Sequence, residues 1–189
     1  TRDFQLAWLI CTILESHKYL FKEEWLELIQ DKDLKTFTLK QIESKPILPT
    51  GTPVPYFYLR DEKGNFHQHS NYKGKIVYLS FWAAWCKSCI IQFPDENNLV
   101  TKFKDKAVTF INICIESDTV KWKEMIQKHN LKTINLIAVG AWNDKLKRDF
   151  DIHGIPHAVL IDQEGKIIEN KTLRASQIEA KILKLLEKK

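Results

Sequence analysis

Residues 76–89 read IVYLSFWAAWCKSC, and this stretch carries the strongest structural signals in the chain. Its first seven residues, 76–82, form an uncharged run rich in β-branched and aromatic side chains, which is typical of a buried strand. Two cysteines follow at positions 86 and 89, where we expect a helix to begin. A buried strand that leads directly into a helix predicts an α/β fold, with the cysteines at the junction.

The spacing of Cys86 and Cys89 allows the two sulfurs to close a small disulfide ring. We expect the first sulfur to lie at a helix N-terminus, where unpaired backbone N–H groups and the helix dipole favour a thiolate. Lys87 adds a positive charge beside it. Cys89 lies one turn inside the helix, so we expect it to be more buried and a poorer nucleophile. This asymmetry predicts disulfide exchange, with Cys86 attacking and Cys89 resolving.

The pattern after residue 56 predicts strands that alternate with helices. Strands are predicted over 56–60, 65–67, 76–82, 107–115, 134–139, 158–161 and 166–169, and helices from residue 86, over 118–129, over 143–150 and at the C-terminus. Strands separated by helices predict a mostly parallel sheet covered on both faces.

Residues 1–48 have a different pattern. They contain no proline or glycine before Pro46, and their apolar residues recur densely enough to predict helix. Prolines and a glycine between residues 45 and 55 predict a linker, because proline ends a helix. We therefore expect a helical segment over 1–48, the end of a longer N-terminal domain, and a redox domain over 49–189. The only methionine is Met125, so we expect the chain to be a processed product or a fragment.

Composition argues against two classes of function. The net charge is +5, but the lysines are spread singly among acidic residues, which disfavours nucleic-acid binding. The longest uncharged run, 46–59, has fourteen residues and contains four prolines, and the apolar runs 4–14 and 76–86 have eleven residues each. A membrane-spanning helix needs about 20, so we expect no membrane span in this fragment.

Three motifs together resemble a known family. Residues 81–89, FWAAWCKSC, with Pro94 five positions later, are similar to the active-site segment of thioredoxin-fold oxidoreductases. Gly154-Ile155-Pro156 resembles the loop in which those proteins carry a cis-proline facing the cysteines. Residues 51–55, 61–64 and 72–75 resemble the extra N-terminal hairpin of the extracytoplasmic TlpA/ResA-type subgroup of redoxins. The resemblance covers residues 50–189.

The resemblance implies a thioredoxin-like fold, with a central mixed, mostly parallel sheet flanked by helices, and thiol–disulfide oxidoreductase activity. It implies no metal and no organic cofactor, only the redox-active disulfide Cys86–Cys89. Electrons would pass between protein thiols or disulfides and an upstream electron-transfer partner, in a periplasmic or other extracytoplasmic bacterial compartment. We expect Trp85 to cover the disulfide and line a peptide groove, and Ile155 and Pro156 to supply the backbone edge along which a substrate lies.

Several positions depart from the family pattern or tune it. Ser80 stands where thioredoxins carry a buried acid, and Gln92 stands where the subgroup is expected to have glutamate. Because both carboxylates are missing, water or Glu116 is the candidate to take the proton of Cys89. Lys87 and Ser88 lie between the cysteines, where they can tune reactivity. His157 follows the proline, where threonine is common. Its imidazole either tunes the sulfurs near neutral pH or is a hydrogen-bonded residue at a strand edge.

Three alternatives remain open from the sequence. A peroxiredoxin-type thiol peroxidase usually has threonine three residues before its cysteine, and this chain has Ala83 there. A redox-responsive interaction module without enzymatic activity is the second alternative. A zinc site is the third, but Cys11 and Cys114 are single residues, not a second CxxC, and we expect both to be buried in the core.

Overall fold

The computed structural model describes residues 2–16, 23–43, 48–116, 118–170 and 175–187. The chain divides into two compact units, Thr1–Ile47 and Leu48–Lys189. Within the described residues, each unit has hydrophobic clusters of its own.

The described residues of the N-terminal unit form three helical pieces: α1 (Arg2–Ser16), a 3₁₀ helix (Glu23–Leu28) and α2 (Lys32–Glu43). Its small core is made of buried apolar residues from α1 and from the segment that precedes α2, namely Ala7, Ile10, Leu26 and Ile29. The carboxylate of Asp3 accepts hydrogen bonds from the backbone N–H groups of Gln30 (3.0 Å) and Asp31 (2.7 Å), which joins the start of α1 to the segment that precedes α2. No helix in the described ranges has both the length and the apolar character needed to cross a membrane.

The second unit contains the strands and helices expected from the sequence, in the expected order. The strands are β1 (Tyr58–Asp61), β2 (Phe66–Gln68), β3 (Ile76–Trp82), β4 (Val108–Cys114), β5 (Ile134–Ile137), β6 (His157–Ile161) and β7 (Ile167–Asn170). The helices are α3 (Lys87–Lys102), α4 (Thr119–Lys128), α5 (Ala141–Asp149) and α6 (Ala175–Glu187), with a short 3₁₀ helix at His69–Tyr72. This arrangement confirms the predicted α/β class and thioredoxin-like fold.

The sheet is less parallel than the sequence pattern predicts. Its seven strands lie in the order β2-β1-β5-β4-β3-β6-β7. Of the six pairings between described strands, only β3–β4 and β4–β5 are parallel. The expectation of a mostly parallel sheet is therefore wrong. Two features account for the difference: hairpins form both edges of the sheet, and β6 runs antiparallel to β3 although α5 lies between β5 and β6 in the chain.

Strand β3 lies between two hydrophobic layers, which explains its seven fully buried residues. Leu79 and Phe81 belong to a cluster completed by Leu146 and Phe150 of the α5 region. Tyr78 belongs to a cluster on the opposite face, which contains residues of α3 and α6. Alternate side chains of a strand point to opposite faces, so a continuous apolar run here indicates a strand covered on both sides.

A row of polar residues interrupts the layer beneath α3. Ser80 of β3 lies opposite Asn112 of β4, and Asn112 lies opposite Asn135 of β5. All three are buried, with exposed fractions of 6%, 0% and 2%. Buried polar groups are costly unless they are hydrogen-bonded, so this row needs polar partners within the core.

Candidate active site

The two cysteines of the CxxC motif form a disulfide at the start of α3. Cys86 is the N-cap residue of the helix, and its Cα lies 5.3 Å from that of Cys89. The Cys86 Sγ accepts a hydrogen bond from the backbone N–H of Cys89 (3.2 Å), and the Ser88 Oγ lies 3.5 Å from the same sulfur. The predicted position of Cys86 at a helix N-terminus is therefore confirmed.

Burial does not distinguish the two cysteines in this oxidised state. Cys86 is 4% exposed and Cys89 is 3% exposed, and both belong to one cluster with Trp82 and Phe93. The expectation that Cys89 is the more buried residue stays a prediction for the reduced protein, because the closed ring holds both residues in the same layer. The asymmetry that remains is positional: only Cys86 occupies the helix cap.

The side chains next to the disulfide are exposed. Lys87 and Ser88 lie on the first turn of α3 and face solvent. The indole of Trp85 is 65% exposed, in contrast to Trp82, which is fully buried and packs edge-on against Phe93 with 5.1 Å between ring centroids. An exposed indole beside a buried disulfide is a surface that another chain can contact.

The loop before β6 lies against the same cluster. The Ile155–Pro156 peptide bond is cis. The side chain of Ile155 is partly buried and packs both against the cluster that contains Cys86 and Cys89 and against the cluster on the other face of the sheet. The tertiary structure therefore brings a loop that is about 70 residues away in the sequence to the disulfide, as the motif order predicts.

His157 follows the proline and begins β6, directly opposite Phe81 of β3. Its Nε2 lies 2.9 Å from the Oδ1 of Asn170 at the end of β7, and its ring lies 5.9 Å from the Phe81 ring between centroids. Burial lowers the pKa of His157, because it disfavours the imidazolium. The imidazole is therefore hydrogen-bonded to the side chain of Asn170 and not to a cysteine. This supports the interpretation of His157 as a hydrogen-bonded residue at a strand edge.

Glu116 lies just after β4, and its carboxylate contacts the backbone that leads to Cys86. Its Oε2 accepts a hydrogen bond from the backbone N–H of Ala84 (2.8 Å). Ala84 lies between the end of β3 and Cys86, so this bond ties the CxxC loop to the neighbouring strand. The contact supports a role for Glu116 in holding the loop.

Glu96 is a buried acid that no sequence motif singled out, and it is 4% exposed. Its Oε2 accepts a 2.9 Å hydrogen bond from the Nδ2 of Asn112, and the Ser80 side chain also hydrogen-bonds to the carboxyl group. Burial raises the pKa of Glu96 to about 7. A signal was available: on α3, Glu96 shares a buried stripe with Cys89, Phe93 and Leu99, where an apolar residue is usual.

The remaining cysteines make no second pair with the CxxC motif in the described residues. Cys114 is fully buried as expected and lies opposite Trp82 in the sheet. Burial raises the pKa of its thiol to about 12, which disfavours the thiolate near neutral pH. The side chain of Cys11 lies outside the described residues. No group of three or more metal-ligating side chains is found in the described ranges.

Known proteins similar to this chain are thiol-disulfide oxidoreductases by name. The family profile that matches is Redoxin, over residues 49–186. The thiol-disulfide oxidoreductase ResA of Bacillus anthracis is 31% identical over 135 residues, which cover 70% of this chain and 76% of the relative. ResA of Bacillus subtilis (strain 168) is 26% identical over 125 residues, which cover 66% and 68%.

Solved structures give the same result. The thioredoxin domain of a thiol-disulfide oxidoreductase from Bacteroides vulgatus matches with a TM-score of 0.68 and 29% identity, and the match covers 74% of this chain and 99% of that domain. A thiol:disulfide interchange protein from Bacteroides sp. matches with a TM-score of 0.68 and 29% identity, over 75% of this chain and 93% of the other.

Proposed function

The chain belongs to the redoxin family and is a thiol–disulfide oxidoreductase, and on that premise we propose that Cys86 attacks the substrate disulfide and that Cys89 resolves the product. The observation that carries these roles is the position of Cys86 at the cap of α3, where its sulfur accepts the N–H of Cys89 at 3.2 Å. In the reduced protein the same donor and the helix dipole stabilise a Cys86 thiolate, because both place positive charge beside the sulfur.

The reaction proceeds in two exchanges. The Cys86 thiolate attacks one sulfur of a protein disulfide, that disulfide breaks, and its other sulfur leaves as a thiolate. Cys89 then loses its proton and attacks the Cys86 sulfur, so that the bond between Cys86 and the substrate breaks and the Cys86–Cys89 disulfide forms. The substrate gains two electrons and the enzyme loses two. An upstream dithiol restores the enzyme by the same steps, and the sequence runs in reverse when a dithiol is the substrate.

Substrate segments bind beside the disulfide, on the surface formed by Trp85 and the Ile155–Pro156 loop. The exposure of the Trp85 indole supports this role, since aromatic side chains give large contact areas in recognition surfaces. Ile155 packs on the cluster that contains both cysteines, which keeps the loop next to the reacting sulfurs. Lys87 and Ser88 tune the reactivity of Cys86 from the first turn of α3.

The partners we propose are protein thiols and disulfides together with an upstream electron-transfer protein, with the disulfide as the only redox group. We place the protein outside the cytoplasm of a bacterium, where stable disulfides and their exchange are common. The two ResA relatives come from bacteria, which supports a bacterial setting. The redox activity belongs to residues 49–189, and the match of the Redoxin profile to residues 49–186 supports this boundary.

Trapping of the mixed disulfide tests the two roles. We expect Cys89→Ala to accumulate covalent adducts with a disulfide-bonded peptide, because the mixed disulfide then has no internal thiol to release it. Cys86→Ala is the matched control and should form few adducts, since the remaining thiol does not lie at the helix cap. The measurement is the intact mass of each variant after incubation with the peptide.

Other adduct yields would change the roles assigned to the cysteines. Equal trapping by both variants contradicts the assigned roles, and trapping by neither favours an interaction module without exchange activity. Cys114→Ala, made in the Cys89→Ala background, should leave the adduct yield unchanged. A loss of adducts in that double variant would make Cys114 a participating thiol.

A further inference from the structure

The buried face of α3 carries both Cys89 of the disulfide and the carboxyl group of Glu96. Cys89, Phe93, Glu96 and Leu99 are the buried residues of this helix, and their spacing of three or four positions places them on one face. The carboxyl group of Glu96 therefore faces the sheet on the same side as Cys89. It is held there by Asn112 (2.9 Å) and by the Ser80 side chain, so its place in the core is defined.

Glu96 has polar partners but no compensating positive charge among the described residues. Asn112 and Ser80 are neutral, and the ionisable group that interacts with it electrostatically is the phenol of Tyr78 on β3. An ionised carboxylate buried without a cation is costly. The pKa of Glu96, raised by burial to about 7, reflects this cost. A small change in the nearby charge is therefore enough to change its protonation near neutral pH.

Reduction of the disulfide makes such a change. The Cα of Glu96 lies about 10 Å along the helix axis from that of Cys89 and about 15 Å from that of Cys86, given a rise of 1.5 Å per residue. Phe93 lies between Cys89 and Glu96 on the buried face of the helix, and its ring packs against the fully buried ring of Trp82. At an effective dielectric constant of about 20, a negative charge on Cys86 lowers the acid dissociation constant of Glu96 by about fivefold. A negative charge on Glu96 lowers that of Cys86 by the same factor.

We propose that Glu96 is a proton-coupled positioning residue: its carboxyl group is protonated in a larger fraction of the molecules when the Cys86–Cys89 disulfide is reduced than when it is oxidised. The inference rests on the proposed function, in which reduced Cys86 is a thiolate. The balanced step adds two electrons from an external dithiol and two protons to the disulfide and the ionised Glu96. It yields the Cys86 thiolate, the Cys89 thiol and a neutral Glu96 carboxyl group. The total charge of the three groups then stays at −1 on reduction.

Other ionisable groups contact α3 from its neighbours. In the described structure they include Tyr78 of β3, His129 next to α4, Lys132 before β5 and Glu179 of α6. His129 packs against the Phe93 ring with 5.6 Å between centroids, and Glu179 is paired with Lys102 at 2.5 Å. These groups are common to every variant compared below, so they do not account for a difference that appears only when Glu96 is replaced.

The test is the equilibrium constant for reduction of the full chain by dithiothreitol at pH 5.5 and at pH 8.5, in wild type and in Glu96→Gln. At pH 5.5 Glu96 is neutral, and the two proteins should agree apart from a constant offset. At pH 8.5 only the wild type carries the charge of Glu96. The equilibrium constant for reduction of Glu96→Gln, divided by that of wild type, should therefore be about fivefold larger at pH 8.5 than at pH 5.5. Asp95→Asn is the matched control, because it removes a negative charge from the exposed side of the same helix.

A ratio of Glu96→Gln to wild type that is the same at both pH values overturns the inference, because a purely structural effect changes the constant equally at both. A pH-dependent ratio that is equally large for Asp95→Asn overturns it as well. If wild type does not exchange with dithiothreitol at either pH, the proposed function fails together with the inference. Exchange with a constant ratio leaves the proposed function intact.

A second measurement needs no variant protein. The carboxyl ¹³C resonance of Glu96 is titrated in oxidised and in reduced wild type. We expect the midpoint to lie higher in the reduced protein, by the same factor of about five in the acid dissociation constant. Identical midpoints in the two redox states overturn the inference even if Glu96→Gln fails to fold.

Discussion

The carboxylate of Glu116 accepts a hydrogen bond of 2.8 Å from the backbone amide of Ala84, 32 positions earlier in the chain. The two residues meet because β3 and β4 are parallel and in register, with Trp82 opposite Cys114, so that their carboxyl ends lie side by side. Ala84 is part of the short connection to Cys86. The bond therefore links the backbone before the reactive sulfur to the central sheet.

Replacement of Glu116 should weaken this connection. Glu116→Ala leaves the half-buried amide of Ala84 without its acceptor, and we expect a loss of about 1–3 kcal/mol in the free energy of unfolding. Glu116→Gln retains an acceptor oxygen and should recover most of that loss. Urea unfolding of the oxidised proteins measures both. If Gln and Ala are equally destabilising, the charge of Glu116 and not its hydrogen bond is what matters.

Lys87 should assist the reactivity of Cys86 through its charge. In the reduced protein, we expect the rate of Cys86 alkylation to titrate with a midpoint below about 8.5, the value of a free thiol. Lys87→Glu should move this midpoint upward by a few tenths of a pH unit to about one unit, because it reverses a charge on the first helical turn. Lys104→Glu, beyond the other end of α3, is the control and should leave the midpoint unchanged. An unshifted midpoint in wild type and in Lys87→Glu would contradict the proposed thiolate.

Glu96 should make the oxidised protein less stable as the pH rises. Its pKa is about 7 in the folded protein, whereas the ordinary value for glutamate is 4.5. At a pH between these two values the folded chain holds a proton that the unfolded chain has released. Stability must then fall through this window, by up to about 3 kcal/mol at higher pH. Glu96→Gln should lack this dependence, so its stability relative to wild type should increase between pH 4.5 and pH 8. Urea unfolding at the two pH values checks this, and parallel behaviour of the two proteins would disprove it.

The redox unit should fold and react without the residues before it. Leu48 packs against the large core cluster, which includes residues of β1, β3 and β4, so a chain that begins at Leu48 keeps this contact. We expect that fragment to show cooperative urea unfolding and to exchange disulfides with a peptide at a rate within about twofold of the full chain. A fragment that folds but does not exchange would show that residues 1–47 contribute to the activity.

Local patterns in the sequence account for the position and chemistry of the CxxC motif. The uncharged run over 76–82 predicts β3 with the bounds that the structure shows, and Cys86 caps the helix that follows. These features depend on side-chain periodicity and on the spacing of neighbouring residues, which can be read without knowing the rest of the fold. The loop at Pro156 is predicted instead by the resemblance of residues 154–156 to the cis-proline loop of thioredoxin-fold proteins, and the Ile155–Pro156 bond is cis.

Strand directions at the sheet edges and the contacts around the motif depend on the tertiary structure. Glu96 and Asn112 are 16 positions apart, and they meet only because α3 packs with its buried stripe above the polar row of the sheet. Ser80 lies beside Asn112 because of the register of β3 with β4. Sequence alone determined which residues carry the disulfide chemistry, because that chemistry is local. Only the fold decided which carboxyl group lies nearby, because strand register and helix packing join residues that no local pattern relates.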